Sequence, residues 1–472
     1  MNKTGSGEAA PSHSRQKFPT KTPTRPHPVM IRFPHLFQSL RRPVLIAGGV
    51  LLLCAAVPVK AADFKFDFNS PEAPPVPGFT RVTPQTAYDA RQGYGFLANL
   101  ADTTKGPPTV RVFAVDVPEG NYDVTVRFGD PAKATSTTLK AESYRLMVEK
   151  VETAPGNYET RAFTVNVRRP AIGTGGEVLL DRTEKGPPPV PDWDDHLTFE
   201  IHGENPGLAS LEIRPAPDAI TVFLAGDSTV TDQIHAPYAA WGQMLPRFFQ
   251  SGIALSNQAE SGLTLSTFKN QKRLDKVLSM MRRGDYLFIQ FGHNDQRDKA
   301  PNAGPFTTYK ANLKDYVEAA KAKGGLPVLV TPMARRTRDA RKQGQRLEDY
   351  AEAMRQVGKE EAVPVIDLNA MSTKFYAALG PQHSTEAFVY YPAGIYPEQK
   401  KKALHDDTHH NVYGAYELAR CVVEGIKASV PELAKYLAKD AGTFDPSHPD
   451  PVQSVDVPQN PVIKHGKKPA GS

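Results

Sequence analysis

The 472-residue chain has only two cysteines, Cys54 and Cys421. Cys54 falls in a segment expected to be removed, so no internal disulfide remains and the domains must stand on hydrophobic cores. Cys421 shares helical spacing with Leu418, Val422 and Ile426 and reads as core filler rather than as a nucleophile. Long apolar runs are missing too. The run over 44–57 has 14 residues, against the ~20 a spanning helix needs, but a secretory signal core is that long. The body of the chain also lacks charge of one sign. The net charge is +6, yet residues 1–61 hold nine Lys/Arg against one Glu. Subtracting that surplus of eight leaves the rest near −2, which excludes a basic surface for nucleic acid. A Gly-x-Ser-x-Gly elbow is also missing, so the nucleophile turn of the α/β-hydrolases is excluded.

What is there divides the chain into four. Arg41 and Arg42 precede the apolar run, and Val59-Lys60-Ala61 offers a cleavage site before Ala62. Residues 1–61 therefore predict a leader and signal peptide, hence export to the periplasm or the extracellular space. Residues 62–216 read as many short strands: 110–117, 122–128, 144–151, 162–167, 178–180, 197–201 and 208–213. Over 122–128 apolar and polar residues alternate as a half-buried strand requires. Proline-rich and polar turns between such runs predict a β-sandwich. A linker is expected at 214–218.

From 218 to 440 the texture changes to short apolar runs alternating with helical patterns, which predicts an α/β domain with a parallel sheet covered on both faces. The strands expected are 220–225, 253–256, 286–291, 327–331 and 363–367. Leu313, Tyr316, Val317 and Ala320 recur at helical spacing, as do Ala415, Leu418, Ala419, Val422 and Ile426. The stretch 441–472, rich in Pro, Asp and Lys without periodicity, predicts a disordered tail.

Three polar motifs follow expected strands, at the carboxyl edge where open α/β sheets bind ligands. Gly226-Asp227-Ser228-Thr229 would expose the Ser228 hydroxyl on a sharp exit. Asn257 to Thr264 contains Gly262, whose backbone can approach a ligand and present its N–H. Gly292-His293-Asn294-Asp295 offers the Asn294 amide to a developing oxyanion. A fourth motif, His405 to Asn411, reads as a loop in which an Asp and a His three apart supply an orienter and a base. The same cluster of His405, Asp406, Asp407, His409 and His410 has the composition of a metal site. That alternative leaves Ser228 and Asn294 unexplained.

In this order the motifs resemble the sequence blocks of SGNH (GDSL-like) hydrolases over about 220–430. The fuller strings, which include Gln290 to Asp295, Thr331 to Arg336 and Asp406 to Asn411, look like the rhamnogalacturonan acetylesterase branch of carbohydrate esterases. Ser261-Gly262-Leu263-Thr264 departs from that branch's Gly-Arg-Ser. The resemblance implies a flavodoxin-like parallel sheet, with the preceding β-sandwich galactose-binding-like in architecture. It implies Ser228 as nucleophile, His409 as base and Asp406 as its orienter, with Ser228 and Gly262 N–H and the Asn294 amide as oxyanion hole. No metal or organic cofactor is required. Asp407 and His410 share the spacing of Asp406 and His409, and the family pattern selects the first pair through Thr408 and Asn411. The implied substrate is an acetylated polysaccharide or oligosaccharide, rhamnogalacturonan or pectin first, with no nucleic-acid partner and no membrane partner after signal cleavage. A lipase or thioesterase acting on small acyl esters, and an inactive carbohydrate-binding protein, are the alternatives. The mixed aromatic and polar segment 388–392 suits stacking on sugars better than an acyl groove.

Overall fold

A computed structural model describes residues 63–460 apart from 71, 98–109, 182–183, 185–191, 338–346 and 397–400. The expected leader and signal peptide over 1–61 lies outside the described residues, as does 461–472.

Among the described residues ten strands precede the α/β part: β1 (Phe64–Asp67), β2 (Thr80–Arg81), β3 (Tyr94–Phe96), β4 (Arg111–Asp116), β5 (Gly120–Phe128), β6 (Thr135–Ala141), β7 (Arg145–Thr153), β8 (Glu159–Val167), β9 (His196–His202) and β10 (Leu208–Pro215). They form two five-stranded sheets, β2-β1-β10-β5-β8 and β3-β4-β9-β6-β7. In β5, Tyr122, Val124, Val126 and Phe128 point inward while Asp123, Thr125 and Arg127 face water. Inward residues from both sheets, among them Phe66, Phe113, Val124, Phe163 and Phe199, share one core, as in a sandwich. Strand β6 escapes the pattern reading because its Thr137 and Lys140 are buried polar residues. The strand expected at 178–180 does not form. Val178 instead packs with Ile172 and Trp193 in a small satellite cluster.

The second part is built on β11 (Ile220–Gly226), β12 (Ile253–Asn257), β13 (Tyr286–Gln290), β14 (Leu326–Val330) and β15 (Val365–Ile366), all parallel, in the order β12-β11-β13-β14-β15. That is the flavodoxin-like order, with its switch point beside β11. The helices are α1 (Trp241–Met244), α2 (Leu265–Asn270), α3 (Arg273–Met280), α4 (Lys310–Ala322), α5 (Glu348–Glu360), α6 (Leu368–His383), α7 (Val412–Ser429) and α8 (Pro431–Ala434). On one face Val222, Leu224 and Val328 meet Trp241, Leu418, Val422 and Ile426. On the other, Phe223, Leu287 and Ile289 meet Leu313, Val317 and Met354. Strands β11, β13 and β14 thus contribute alternate residues to two cores, which explains their continuous apolar runs. Among the described residues no helix is long and apolar enough to cross a membrane.

Two expectations about boundaries change. The linker at 214–218 is a tight turn: β10 runs to Pro215, Ala219 N–H bonds Ala216 O at 3.1 Å, and β11 begins one residue later. Asn121 in β5 donates to Thr221 Oγ1 at 2.9 Å, so the turn is tied on both sides. Leu146 of β7 lies in the core cluster of the α/β part. The tail from 441 is not disordered as far as Asn460. Phe444 and Val457 are buried, Lys140 Nζ donates to Pro458 O at 2.6 Å, and Asn460 is buried. Its sequence lacks periodicity because it packs as an extended strap, with no repeating face to encode.

Candidate active site

At the end of β11 a Cβ on Gly226 would lie 2.5 Å from Val230 Cγ2 and 3.1 Å from Gln290 O, so only glycine fits this exit. The chain then turns: Val230 and Thr231 N–H both bond Asp227 O, and Asp227 Oδ1 accepts from Thr229 N at 3.0 Å and Thr229 Oγ1 at 2.7 Å. Ser228 is held in the bend with its Oγ 2.8 Å from His409 Nε2. His409 Nδ1 lies 2.9 Å from Asp406 Oδ2, and Asp406 Oδ1 accepts the backbone N–H of Thr408 at 2.9 Å and of His409 at 3.0 Å. A carboxylate at Nδ1 fixes the tautomer that leaves Nε2 free to accept the serine proton. Ser228, Asp406 and His409 are each no more than 2% exposed. Burial alone would raise the Asp406 carboxyl. The bonds from the His409 ring and the two amides outweigh it and hold the group well below the usual carboxylate range.

The other register is occupied differently. His410 Nε2 bonds Tyr376 Oη at 2.7 Å, and burial pushes its pKa down to about 3. Asp407 pairs with Arg336 at 3.0 Å and accepts from Tyr390 Oη. The segment expected as a loop is a strand, β17 (Leu404–His410), antiparallel to β16 (Phe388–Tyr391). Strand alternation turns exposed His405 away, where it stacks on Tyr390. The five-residue cluster therefore diverges, and among the described residues no three His, Cys, Asp or Glu side chains converge as metal ligands. In β16, Phe388 and Val389 are buried, and only Tyr390 and Tyr391 are partly exposed.

Gly262 has φ +81°, which an L side chain rarely adopts. Among the described residues neither its N–H nor that of Ser228 has a protein acceptor. Asn294, 6% exposed, donates one amide hydrogen to Leu263 O at 3.0 Å, leaving the second available. Asp295 joins the two loops: Oδ1 accepts Leu265 N–H and Oδ2 accepts Gly292 N–H, both at 3.1 Å. Burial raises its pKa to about 7.

Sequence reasoning missed several supports. Trp241 Nε1 donates to Gln290 Oε1, and Gln290 Nε2 to Thr229 Oγ1, each at 2.7 Å. Trp241 is one of two tryptophans in the chain, which was the available signal. Arg335 spans from His293 O, at 3.0 Å, to Thr408 Oγ1. Tyr238 stands edge-on to the His409 ring at 5.9 Å. His293 lies 3.5 Å from Asp227. Burial pushes its pKa down, and Asp227 only partly offsets the shift.

A serine bonded to a histidine bonded to a carboxylate, at the carboxyl edge of a parallel α/β sheet and beside free amides, is the construction of a carboxylic ester hydrolase. Residues 224–412 match the GDSL-like lipase/acylhydrolase family. The chain is 38% identical over 226 residues to the rhamnogalacturonan acetylesterase RhgT of Bacillus subtilis, covering 47% of this chain and 96% of that protein. It is 28% identical over 415 residues to an uncharacterized esterase, YxiM, of Bacillus subtilis, covering 80% of this chain and 95% of that one. The crystal structure of YxiM from Bacillus subtilis covers 78% of this chain and 98% of its own, with TM-score 0.40 and 25% identity. The chain belongs to the GDSL-like lipase/acylhydrolase family and is a carboxylic ester hydrolase.

Proposed function

We propose that this protein removes acetyl groups from plant cell-wall polysaccharide, with acetylated rhamnogalacturonan as the leading substrate. The observation that carries the reading is the buried relay from Ser228 Oγ through His409 to Asp406, within bond distance at both joints. In the proposed reaction His409 Nε2 takes the Ser228 proton as Oγ attacks the ester carbonyl, and Asp406 stabilises the imidazolium that forms. The Ser228 and Gly262 N–H groups and the Asn294 amide receive the oxyanion. His409 then gives its proton to the departing sugar hydroxyl, and water repeats the sequence on the acetyl-enzyme. The base accounts for about 10²–10⁴ in rate, and one hole donor for about 10²–10³.

Two observations support a carbohydrate acetyl ester. The serine, 1% exposed and bonded to a histidine whose ring meets Tyr238 edge-on, suits a short acyl group rather than a long chain. The relative RhgT, at 38% identity, carries a rhamnogalacturonan acetylesterase name. Export, read from residues 1–61, belongs to the same proposal, because such polymers lie outside the cell. The test is acetate release from acetylated rhamnogalacturonan, acetylated xylan and p-nitrophenyl acetate. Release from the first at the highest kcat/KM supports the reading. Hydrolysis of long-chain acyl esters in preference to all three would overturn it.

A further inference from the structure

Ser228 is held from a direction that the reaction does not use. Gln233 Nε2 donates to the Ser228 carbonyl oxygen at 2.7 Å. With Thr229 N–H bonded to Asp227 Oδ1, this fixes both ends of the 228–229 peptide plane, and with it the aim of the Ser228 Oγ. The Gln233 backbone carbonyl accepts from Gln243 Nε2, at 2.9 Å, and from Asn460 Nδ2. Gln243 Nε2 also reaches Ser143 O of the sandwich at 2.9 Å. Asn460 Oδ1 accepts from Lys140 Nζ at 3.0 Å, and the same Nζ donates to Pro458 O at 2.6 Å. Lys140, Ser143, Gln233, Gln243 and Asn460 are all buried. Burial lowers the Lys140 pKa to about 7, with Glu200 opposing, but amine and ammonium both keep N–H donors for this contact.

We propose that the C-terminal strap is part of the catalytic apparatus: Asn460, anchored by Lys140 of the sandwich, is a positioning residue that sets the nucleophile through Gln233. The strap and the sandwich thereby reach the serine through hydrogen bonds to the Gln233 carbonyl and, on the same residue, the side-chain bond to Ser228 O. A second attachment runs beside it. Asp232, one residue before Gln233, meets Arg145 at 3.4 Å and Arg168 at 3.6 Å, and accepts from Asn257 Nδ2 at 2.8 Å. The loop that carries Ser228 is thus gripped by sandwich side chains.

The proposal rests on Ser228 being the nucleophile, so the test reads nucleophile and positioning separately, on the full chain. Asn460→Asp keeps the acceptor for Lys140 but replaces the donor to Gln233 O. Gln233→Met removes only the bond to Ser228 O and leaves the backbone carbonyl that Asn460 uses. Both are measured for kcat and KM on p-nitrophenyl acetate, for the rate of labelling by an organophosphorus fluoride, and for Tm. We expect kcat and labelling rate to fall together by about 10–100-fold, since sub-ångström misplacement of a nucleophile acts on that scale. KM should stay within about twofold for a group that acts only in the transition state. Lys150→Ala, which cuts the exposed tie to Asp456 of the same strap, should leave kcat and labelling unchanged. Wild-type kcat and labelling in either variant would overturn the proposal. So would losses in both variants that merely track a lowered folded fraction. A wild-type chain that resists the fluoride would instead overturn the assignment of Ser228.

Discussion

Asp406 holds one imidazole from two sides: one oxygen meets the ring Nδ1, and the other accepts the amides of Thr408 and His409. Such a carboxylate stays ionised and orients the base, so its removal should lower turnover while leaving substrate binding nearly untouched. Ser228→Ala and His409→Ala are expected to abolish ester hydrolysis in a folded protein, and Asp406→Asn to cost about 10⁴-fold in kcat. Asp407→Asn should cost less than about tenfold, because Asp407 faces Arg336 and Tyr390 rather than the serine. His410→Ala should show mainly as a lowered Tm, since it strands a buried Tyr376 hydroxyl. Comparing kcat, KM and circular dichroism across the five variants decides the matter. Severe loss of kcat at Asp407 and His410, with mild loss at Asp406 and His409, would reverse the assignment.

At the scale of elements, the proposed base is delivered by a strand that leads into a helix. His409 is the last residue but one of β17 and α7 starts three residues after it, with Asn411 as its cap: Oδ1 accepts Gly414 N–H at 3.1 Å. Its Nδ2 donates to Glu386 O at 2.7 Å and Phe388 O at 3.2 Å, so one side chain joins the helix start to β16. Replacing a helix cap costs about 0.5–2 kcal/mol. Because the tie to β16 goes as well, Asn411→Ala should fall near the upper end, read as a shift in the urea midpoint. An unshifted midpoint would mean that the hairpin is held elsewhere. Gly226→Ala should be worse, because its Cβ would collide with Val230 and the Gln290 carbonyl across the sheet. We expect that variant to recover poorly from expression or to lose turnover with the displaced Ser228 loop.

Across the whole molecule, several buried carboxyls keep their protons to unusually high pH. Burial raises Asp295 and Glu417 to about 7 and Glu200 to about 8. Unfolded, each would release its proton near 4. Between roughly pH 4 and 7–8 the folded chain therefore binds more protons than the unfolded one, and stability falls as pH rises through that window. Lys140, lowered to about 7 from 10.5, acts oppositely, but only above pH 7. Asp406, lowered in the fold, sets the acid limit, since its contribution is lost as the pH falls below its unfolded value. Calorimetry should give a higher Tm at pH 5.5 than at pH 8. An equal or lower value would show that these carboxyls are ionised in the fold. At the same scale, a fragment starting at 218 would uncover the surface that Leu146 packs against and lose Arg145 and Arg168, the partners of Asp232. Such a fragment should melt well below the full chain or fail to fold, and an independently stable, active fragment would contradict the single-body packing.

What the sequence determined by itself was local and periodic. The apolar runs of the parallel strands, the alternation in β5 and the helical spacing of Leu418, Val422 and Ile426 each follow from a face that must be buried. The glycine that ends β11, the Gly-His-Asn-Asp stretch after β13 and the Asp-x-x-His of β17 were legible for a similar reason. Chemistry at strand ends needs particular residue types within a few positions of one another. Only the tertiary structure decided the rest. Lys and Arg are seldom buried unless paired, yet Lys140 and Arg145 are buried because distant carbonyls and carboxylates receive them. Residues 441–460 have no periodic face, yet Asn460 ends beside the loop of the serine. Contacts between residues more than two hundred positions apart leave no spacing in a chain. They are set by which surfaces remain to be covered once the sheets have packed.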